Sequence, residues 1–258
     1  MKIIAVVTAR LSSKRLPGKI LMPILGMPMI ELLIQRLSFS KKINQIAIAI
    51  PKNEKNKKLN IYLKKNKHQV FQGTEKNVLK RFYKAAKLYK ADLVVRITGD
   101  SPLIDANIID SLINKLIKNK KDYIVSNNPA TFPDGVDAEV MTFKAIEKCY
   151  NLAKSNYDKE HVTPYIRNSG KFKILYYQYK KDYSNQRWCV DEKNDFKVVK
   201  KIFEHFNPRI NFGWLEVIKL TKKKPKIFEI NKNVRIKNEY KKQIALTTLS
   251  PLMSQEPN

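Results

Sequence analysis

The stretch from Ala9 to Lys19 reads Ala-Arg-Leu-Ser-Ser-Lys-Arg-Leu-Pro-Gly-Lys and carries four cations, Arg10, Lys14, Arg15 and Lys19. Ser12, Ser13 and the backbone amides of a loop fixed by Pro17 and Gly18 add neutral donors, a combination that suits an anion with several oxygens. A polyphosphate, such as that of a nucleoside triphosphate, is the ligand this loop predicts. Its spacing matches neither the GxxxxGK[ST] of a Walker loop nor the GxGxxG of a dinucleotide fold. The same residues also read as an exposed basic loop without a ligand.

Two carboxylates stand in comparable places. Leu93 to Ile97 runs directly into Thr98, Gly99 and Asp100, which puts Thr98 and Gly99 beside the phosphate loop. A lone carboxylate facing phosphates is repelled unless a divalent cation lies between, and Mg²⁺ typically takes one or two carboxylates plus phosphate oxygens. Asp100 is therefore a predicted Mg²⁺ ligand. Arg187 to Val190 reads as a short apolar strand ending in Asp191, the candidate partner of Asp100 at that metal. Taken alone, Asp191 fits a turn or helix entry equally well. Asp105 and Asp195 read as helix N-caps.

These residues need a scaffold that joins the ends of distant strands. Ile3 to Val7 is a continuous apolar run, the pattern of a central parallel strand covered on both faces. Further strands are predicted at Ile46 to Ile50, Val70 to Phe71, Leu93 to Ile97, Tyr123 to Ser126, Ala138 to Thr142 and Lys173 to Tyr179. Helical periodicity covers Ile30 to Leu37, Leu59 to Lys65, Val78 to Tyr89 and Ile108 to Ile117, with more from Phe143, over Asp195 to Phe206 and over Phe212 to Leu220. Alternation of strand and helix predicts an α/β doubly wound, mainly parallel sheet, whose ligands bind at the carboxyl ends of the strands. Beyond residue 127 the pattern is less regular, and a β-rich insertion, or a segment for substrate or dimer contacts, is expected around 127–180. Residues 1–245 are expected to form one domain and 246–258 a flexible tail.

Of the 258 residues, 43% are hydrophobic, enough for a substantial core, and 10% are aromatic, which argues against disorder. The 51 Lys and Arg outnumber 23 Asp and Glu, for a net charge of +28 that attracts nucleic acid, anionic membrane or phosphorylated ligands without choosing among them. Much of it is Lys in Asn- and Ile-rich stretches such as 52–67 and 115–121, which reads as a solvated surface. Cys149 and Cys189 fall in a predicted helix and a predicted strand with no CxxC, so they read as buried thiols in a reducing compartment. The short run after Met1 does not make a signal-peptide core and no apolar stretch approaches spanning length, so a cytoplasmic location without membrane insertion is expected.

At the level of motifs, Ala9 to Lys19 resembles the signature loop of the sugar cytidylyltransferases, including those that activate 3-deoxy-octulosonate and sialic acids with CTP. The SpsF subgroup of spore-coat polysaccharide proteins is the nearest look-alike. Its segments are matched by Gly73-Thr74-Glu75-Lys76-Asn77-Val78-Leu79-Lys80-Arg81-Phe82, by Arg96 to Asp105, by Phe132-Pro133-Asp134-Gly135-Val136-Asp137-Ala138-Glu139-Val140, and by Glu160-His161-Val162-Thr163-Pro164-Tyr165. The resemblance covers roughly residues 1–215. Departures are Lys76-Asn77, where acidic residues are common, and Cys189, where Thr is usual.

The resemblance implies a nucleotide-diphospho-sugar transferase (GT-A-like) three-layer sandwich with a mainly parallel, Rossmann-like sheet. It implies a reaction of CTP with a sugar to give a CMP-sugar and pyrophosphate, in a homodimer, with no nucleic-acid partner. Arg10, Arg15 and Lys19 would be catalytic. Ala9, Arg10, Ser13, Lys14, Arg15, Lys19, Gly73, Thr74, Asn77, Thr98 and Gly99 would hold the nucleotide, and Asp100 and Asp191 the Mg²⁺. Asp134, Asp137, Glu139 and His161 would meet the sugar. Bland readings stand beside several of these: a helix start capped by Thr74, a solvated acidic turn at 134–139, and a structural histidine. A glycosyltransferase of the same fold is the rival enzyme, although Gly99-Asp100-Ser101 lacks the second Asp of a DxD motif. A basic nucleic-acid-binding protein is the rival outside enzymes.

Overall fold

A computed structural model describes residues 1–234. In chain order the elements are β1 (Ile3–Thr8), β2 (Pro23–Ile24), β3 (Met27–Pro28), α1 (Met29–Leu37), β4 (Gln45–Pro51), α2 (Lys57–Lys65), β5 (Gln69–Gly73), α3 (Val78–Leu88), β6 (Leu93–Thr98) and α4 (Ala106–Lys118). There follow β7 (Tyr123–Val125), β8 (Glu139–Thr142), α5 (Phe143–Leu152), α6 (Asn156–His161), α7 (Pro164–Asn168), β9 (Ile174–Tyr176), α8 (Lys193–Phe206), α9 (Trp214–Lys223) and α10 (Pro225–Glu229).

Seven strands form one sheet in the order β5-β4-β1-β6-β8-β7-β9, and β8 alone runs against the rest. Both faces of β1 are apolar because both are covered. Ile3, Ala5 and Val7 pack with α1, α2, α4, α8 and α9, whereas Ile4 and Val6 pack with α3, α5 and α7. The result is an α/β/α sandwich, the three-layer architecture expected from the apolar runs.

The 127–180 stretch is not a β-rich insertion. It supplies three helices, and its two strands, β8 and β9, join the main sheet. Residues 187–190, expected as a strand, make only an isolated bridge between Asp134 and Arg187. Their direction is set by scattered backbone hydrogen bonds to Asp134 and Asp100 and by side-chain anchoring rather than by a ladder. The last long helix begins at Trp214, two residues after the predicted start, because Asp105, the N-cap of α4 on the same face of the sheet, accepts the Trp214 amide. The expected tail at 246–258 lies outside the described residues.

From β1 the chain winds outward through β4 to β5, then returns to the other side of β1 to make β6. The sheet therefore changes winding direction between β1 and β6, the switch point at which open α/β sheets leave a crevice beyond the strand ends. Thr8 and Thr98 are register partners there. Gly99 donates its amide to the Thr8 carbonyl at 2.9 Å, and a Cβ on Gly99 would stand 3.0 Å from that of Ala9 and 3.1 Å from Ile20 Cδ1. The predicted phosphate loop and the predicted metal strand thus leave the sheet side by side.

Candidate active site

Beyond the switch point the 9–19 loop is stitched to its neighbours. The Leu11 amide donates to buried Asn56 Oδ1 at 2.8 Å, and Ser12 donates to Glu75, which also accepts from Asn53. Loops after β1, β4 and β5 are thereby tied together. Ala9 is buried, Ser13 half-buried, and Arg10 and Lys14 are exposed. Neither Arg10 nor Lys14 has a carboxylate partner among the described residues, so both remain available to an anion. The charge of Arg10 reaches Arg81, whose pKa is lowered to about 10 by burial and by that charge.

Lys19 departs from the picture of a loop cation. Left-handed Gly18, with φ of 75°, starts a short 3-10 turn that buries Lys19 beneath the loop. Its Nζ donates to the Val190 carbonyl and lies 3.2 Å from Asp191 Oδ1 and 3.5 Å from Asp100 Oδ2. Arg15 closes the other side at 2.6 Å from Asp191 Oδ2. The two predicted metal carboxylates therefore converge on one point, occupied by an ammonium. Burial opposes the Asp191 charge, but Lys19 and Arg15 outweigh it and hold the carboxyl at about 2. The backbone adds a further link, since the Val190 amide donates to the Asp100 carbonyl at 2.7 Å.

Asp195 does not cap α8; it stands at the third helical position, fully buried, while Glu192 is the N-cap. Its carboxylate accepts from the Asp191 and Glu192 amides and, at 3.0 and 3.1 Å, from Nε and Nη2 of Arg187. Arg187, which nothing in the sequence singled out, reaches Asp191 at 3.1 Å and Asp134 at 3.0 Å with the rest of its fork. Burial works against its charge, yet the Asp195 hydrogen bonds and the surrounding acidic groups raise its pKa. The one sequence hint is the three acids, Asp191, Glu192 and Asp195, that follow Arg187 within nine residues.

The acidic residues at 134–139 are not a solvated turn. Glu139 is buried, faces Arg96 at 2.8 Å across the β6–β8 pair, accepts from Tyr123, and lies 3.7 Å from Arg167. Despite burial, those two arginines hold its pKa below the usual carboxylate range. Asp137 accepts from Asn127 and from the Gly135 amide. Asp134 is partly exposed and meets Arg187 at 3.0 Å, with Cys189 Sγ donating to it at 3.2 Å. Burial and the neighbouring Asp137 push Asp134 up to about 7, while burial and Asp134 push the Cys189 thiol up. His161 ends α6 and packs on Tyr157, with ring centres 4.5 Å apart.

At the end of β5, Gly73 and Thr74 lead to α3. The N-cap there is Asn77, not Thr74: Asn77 Oδ1 accepts the Lys80 amide at 2.8 Å, while the Thr74 hydroxyl donates to the Asn77 carbonyl. Thr98 shares a hydrogen bond with Ser101. Asp105 caps α4 as expected, accepting from Asn107.

A three-layer sandwich of this winding, with a cationic loop after its first strand and two carboxylates at the switch point, has the architecture of a nucleotidyltransferase. Comparison with known proteins narrows that class. The chain belongs to the cytidylyltransferase family, whose model matches residues 4–247. It is 38% identical over 241 residues to the uncharacterised protein MJ1063 of Methanocaldococcus jannaschii, covering 92% of this chain and 98% of that one. It is 27% identical over 231 residues to the spore coat polysaccharide biosynthesis protein SpsF of Bacillus subtilis, covering 86% and 95% respectively. A solved cytidylyltransferase from Leptospira borgpetersenii superposes with a TM-score of 0.84 at 32% identity, over 88% of this chain and 97% of that one.

Proposed function

We propose that the chain joins CTP to an acidic keto-sugar, such as an octulosonate or nonulosonate, giving a CMP-sugar and pyrophosphate for surface polysaccharide or glycoconjugate synthesis, with Mg²⁺ as cofactor. One observation carries this reading: Lys19, Asp100 and Asp191 meet within 3.5 Å at the switch point, directly under the cationic loop. Family membership and the sugar acids handled by the cytidylyltransferases whose motifs it resembles support the choice of substrates.

The donor chemistry fits a hard dication. Among the described residues no cluster of three or more His, Cys, Asp or Glu side chains is built to hold an ion unaided. Two carboxylates completed by phosphate oxygens are the usual Mg²⁺ arrangement. Asp100 keeps Oδ1 without a partner among the described residues. Both Asp191 oxygens meet cations, Oδ1 that of Lys19 and Oδ2 those of Arg15 and Arg187, so Asp191 would exchange one of these for the ion. Asp100 and Asp191 would hold the ion, and when bound it supplies charge neutralisation at the α-phosphate.

The chain's own residues do the rest. Arg10 and Lys14, exposed and without a carboxylate partner among the described residues, attract the triphosphate into the crevice. An acceptor hydroxyl held on the Asp134 side attacks the α-phosphorus in line; its P–O bond forms as the bond to the β-phosphate oxygen breaks. Pyrophosphate departs with its charge met by Arg15 and Lys19, and the hydroxyl proton passes to solvent. Such reactions are accelerated mainly by positioning and by fixed charge. In this reading Gly73 and Thr74, at the end of β5, would meet the base, and Asp134, Asp137 and His161 the acceptor. The same reading has the enzyme acting as a cytoplasmic homodimer; among the described residues no helix is long and apolar enough to cross a membrane.

The test is pyrophosphate release in Mg²⁺ with CTP, UTP, ATP and GTP, each against a panel of sugar acids and neutral sugar phosphates. Release that requires CTP and a keto-acid is expected. Release with neutral sugars alone, or absence of CTP binding by calorimetry, would overturn the proposal.

A further inference from the structure

The Arg187 guanidinium is buried and touches three carboxylates, two in the segment that enters α8 and one in the loop before β8. Nε and Nη2 grip Asp195, at the start of α8, as a bidentate pair. Nη2 also reaches Asp191 Oδ2 at 3.1 Å, on the phosphate side of the crevice, and Nη1 reaches Asp134 Oδ2 at 3.0 Å, on the acceptor side. The anchor is itself braced: Asn231 Nδ2 donates at 3.0 Å both to the Arg187 carbonyl and to Asp195 Oδ1. Backbone contacts hold the same two segments together, because the Trp188 and Cys189 amides both donate to the Asp134 carbonyl. Gly135 makes that approach possible; a Cβ there would fall 2.5 Å from the Cys189 amide nitrogen.

A guanidinium is planar and offers its donors in a rigid fork, so carboxylates gripped by it are fixed in distance and in angle. Asp195 is the fixed point of this arrangement, and Asp191 and Asp134 are the two positions it sets. We propose that Arg187 is a positioning residue that registers the cation-holding carboxylate Asp191 against the acceptor-side carboxylate Asp134, so that the nucleotide half and the sugar half of the crevice keep a fixed separation. This inference rests on the function proposed above. Arg187 touches neither reacting group; it acts through the two aspartates. A lysine in its place keeps the charge but presents one point donor, and cannot serve Asp195, Asp191 and Asp134 together.

The variant that tests this is Arg187→Lys, measured first without turnover. Mn²⁺ binding to the full-length protein in the presence of CTP and no acceptor is followed by electron paramagnetic resonance, and thermal melting is recorded alongside. Loss of a residue that orients a metal ligand typically weakens metal binding about 10- to 100-fold, and a loss in that range is expected here. In turnover, the acceptor KM is expected to rise by a similar factor. The KM for CTP, set largely by the untouched loop, should change about threefold or less. Asn231→Ala, which removes the brace and leaves the fork, should shift Mn²⁺ affinity in the same direction by a smaller factor, and serves if Arg187→Lys does not fold. A folded Arg187→Lys enzyme with wild-type Mn²⁺ affinity and acceptor KM would overturn the proposal, whatever its melting temperature, as would wild-type Mn²⁺ affinity in Asn231→Ala when the other variant is insoluble. A wild-type protein that binds neither CTP nor Mn²⁺ would instead defeat the functional reading beneath it.

Discussion

Replacing Lys19 by Met separates the electrostatic role of that side chain from its packing. The methionine keeps the apolar stem and removes the ammonium from between Asp191, Asp100 and the Val190 carbonyl. Asp191 sits at about 2, against 3.8 for a free aspartate. At 1.36 kcal/mol per pK unit, the gap is worth about 2 kcal/mol of stability. Lys19 is the largest favourable contributor to it, and the Val190 carbonyl left behind adds roughly 1 kcal/mol. The variant should therefore lose about 2–3 kcal/mol at pH 7, a fall of roughly 5–10 °C in melting temperature for a chain of this size. Because the folded carboxyl titrates below the unfolded one, this stabilisation is complete above about pH 4 and fades as pH falls through about 2. Urea midpoints of wild type and variant, compared from pH 7 downward, should differ most at neutral pH and narrow, as pH falls from about 4 towards 2, to the roughly 1 kcal/mol left by the Val190 carbonyl. Equal stabilities at pH 7, or a difference that stays constant into acid, would refute the assignment. If Lys19 meets the leaving pyrophosphate as proposed, its removal should cost on the order of 10²- to 10³-fold in kcat.

Three other expectations follow from the same contacts. Gly135→Ala places a Cβ against the backbone of Trp188 and Cys189 at a φ of 108°, and should destabilise by about 3 kcal/mol or more in urea unfolding while disrupting the 187–191 segment. Asn77→Ala should cost about 1 kcal/mol through loss of the α3 cap, and Asn77→Asp, which preserves the cap acceptor, should recover most of it; an unchanged melting temperature in the alanine variant would show that the cap carries nothing. The raised pKa of Asp134 means that the folded state binds its proton more tightly than the unfolded chain does. Its contribution is thus present below about pH 4 and lost as pH rises through about 7. Stability measured across pH 4–8 should accordingly slope less steeply downward in Asp134→Asn than in wild type.

How much of this was legible in the sequence depended on whether the information was local. The run Ile3 to Val7, followed by a cationic loop, placed the switch point because a central parallel strand announces itself through apolarity on both faces. Asp100 was legible for the same reason, as the residue where another such strand ends. Arg187 was not, because its partners lie 53, 4 and 8 positions away and a side-chain fork leaves no periodicity. Glu139 looked like part of a solvated turn because its neutralising partner, Arg96, is a neighbour only in the β6–β8 register. A helix start capped by Thr74 is one of two readings of 73–77, and Thr and Asn are both good caps. The choice fell to Asn77 because the turn from β5 delivers Asn77, not Thr74, to the first free amides.

The ammonium of Lys19 meets Asp191 across 172 positions of chain, and the Val190 carbonyl across 171. Strands β1, β4, β5 and β6, by contrast, are contiguous neighbours joined by single helices. Closing so long a loop is entropically the slower event, so the parallel half of the sheet has the means to assemble while the crevice is still missing one wall. Catalytic competence in this architecture would then be a late property of folding, acquired when the 187–195 segment docks. A partly folded molecule would carry the cationic loop without its acidic counterpart: able to attract phosphates, but with no Asp191 to help commit them to transfer.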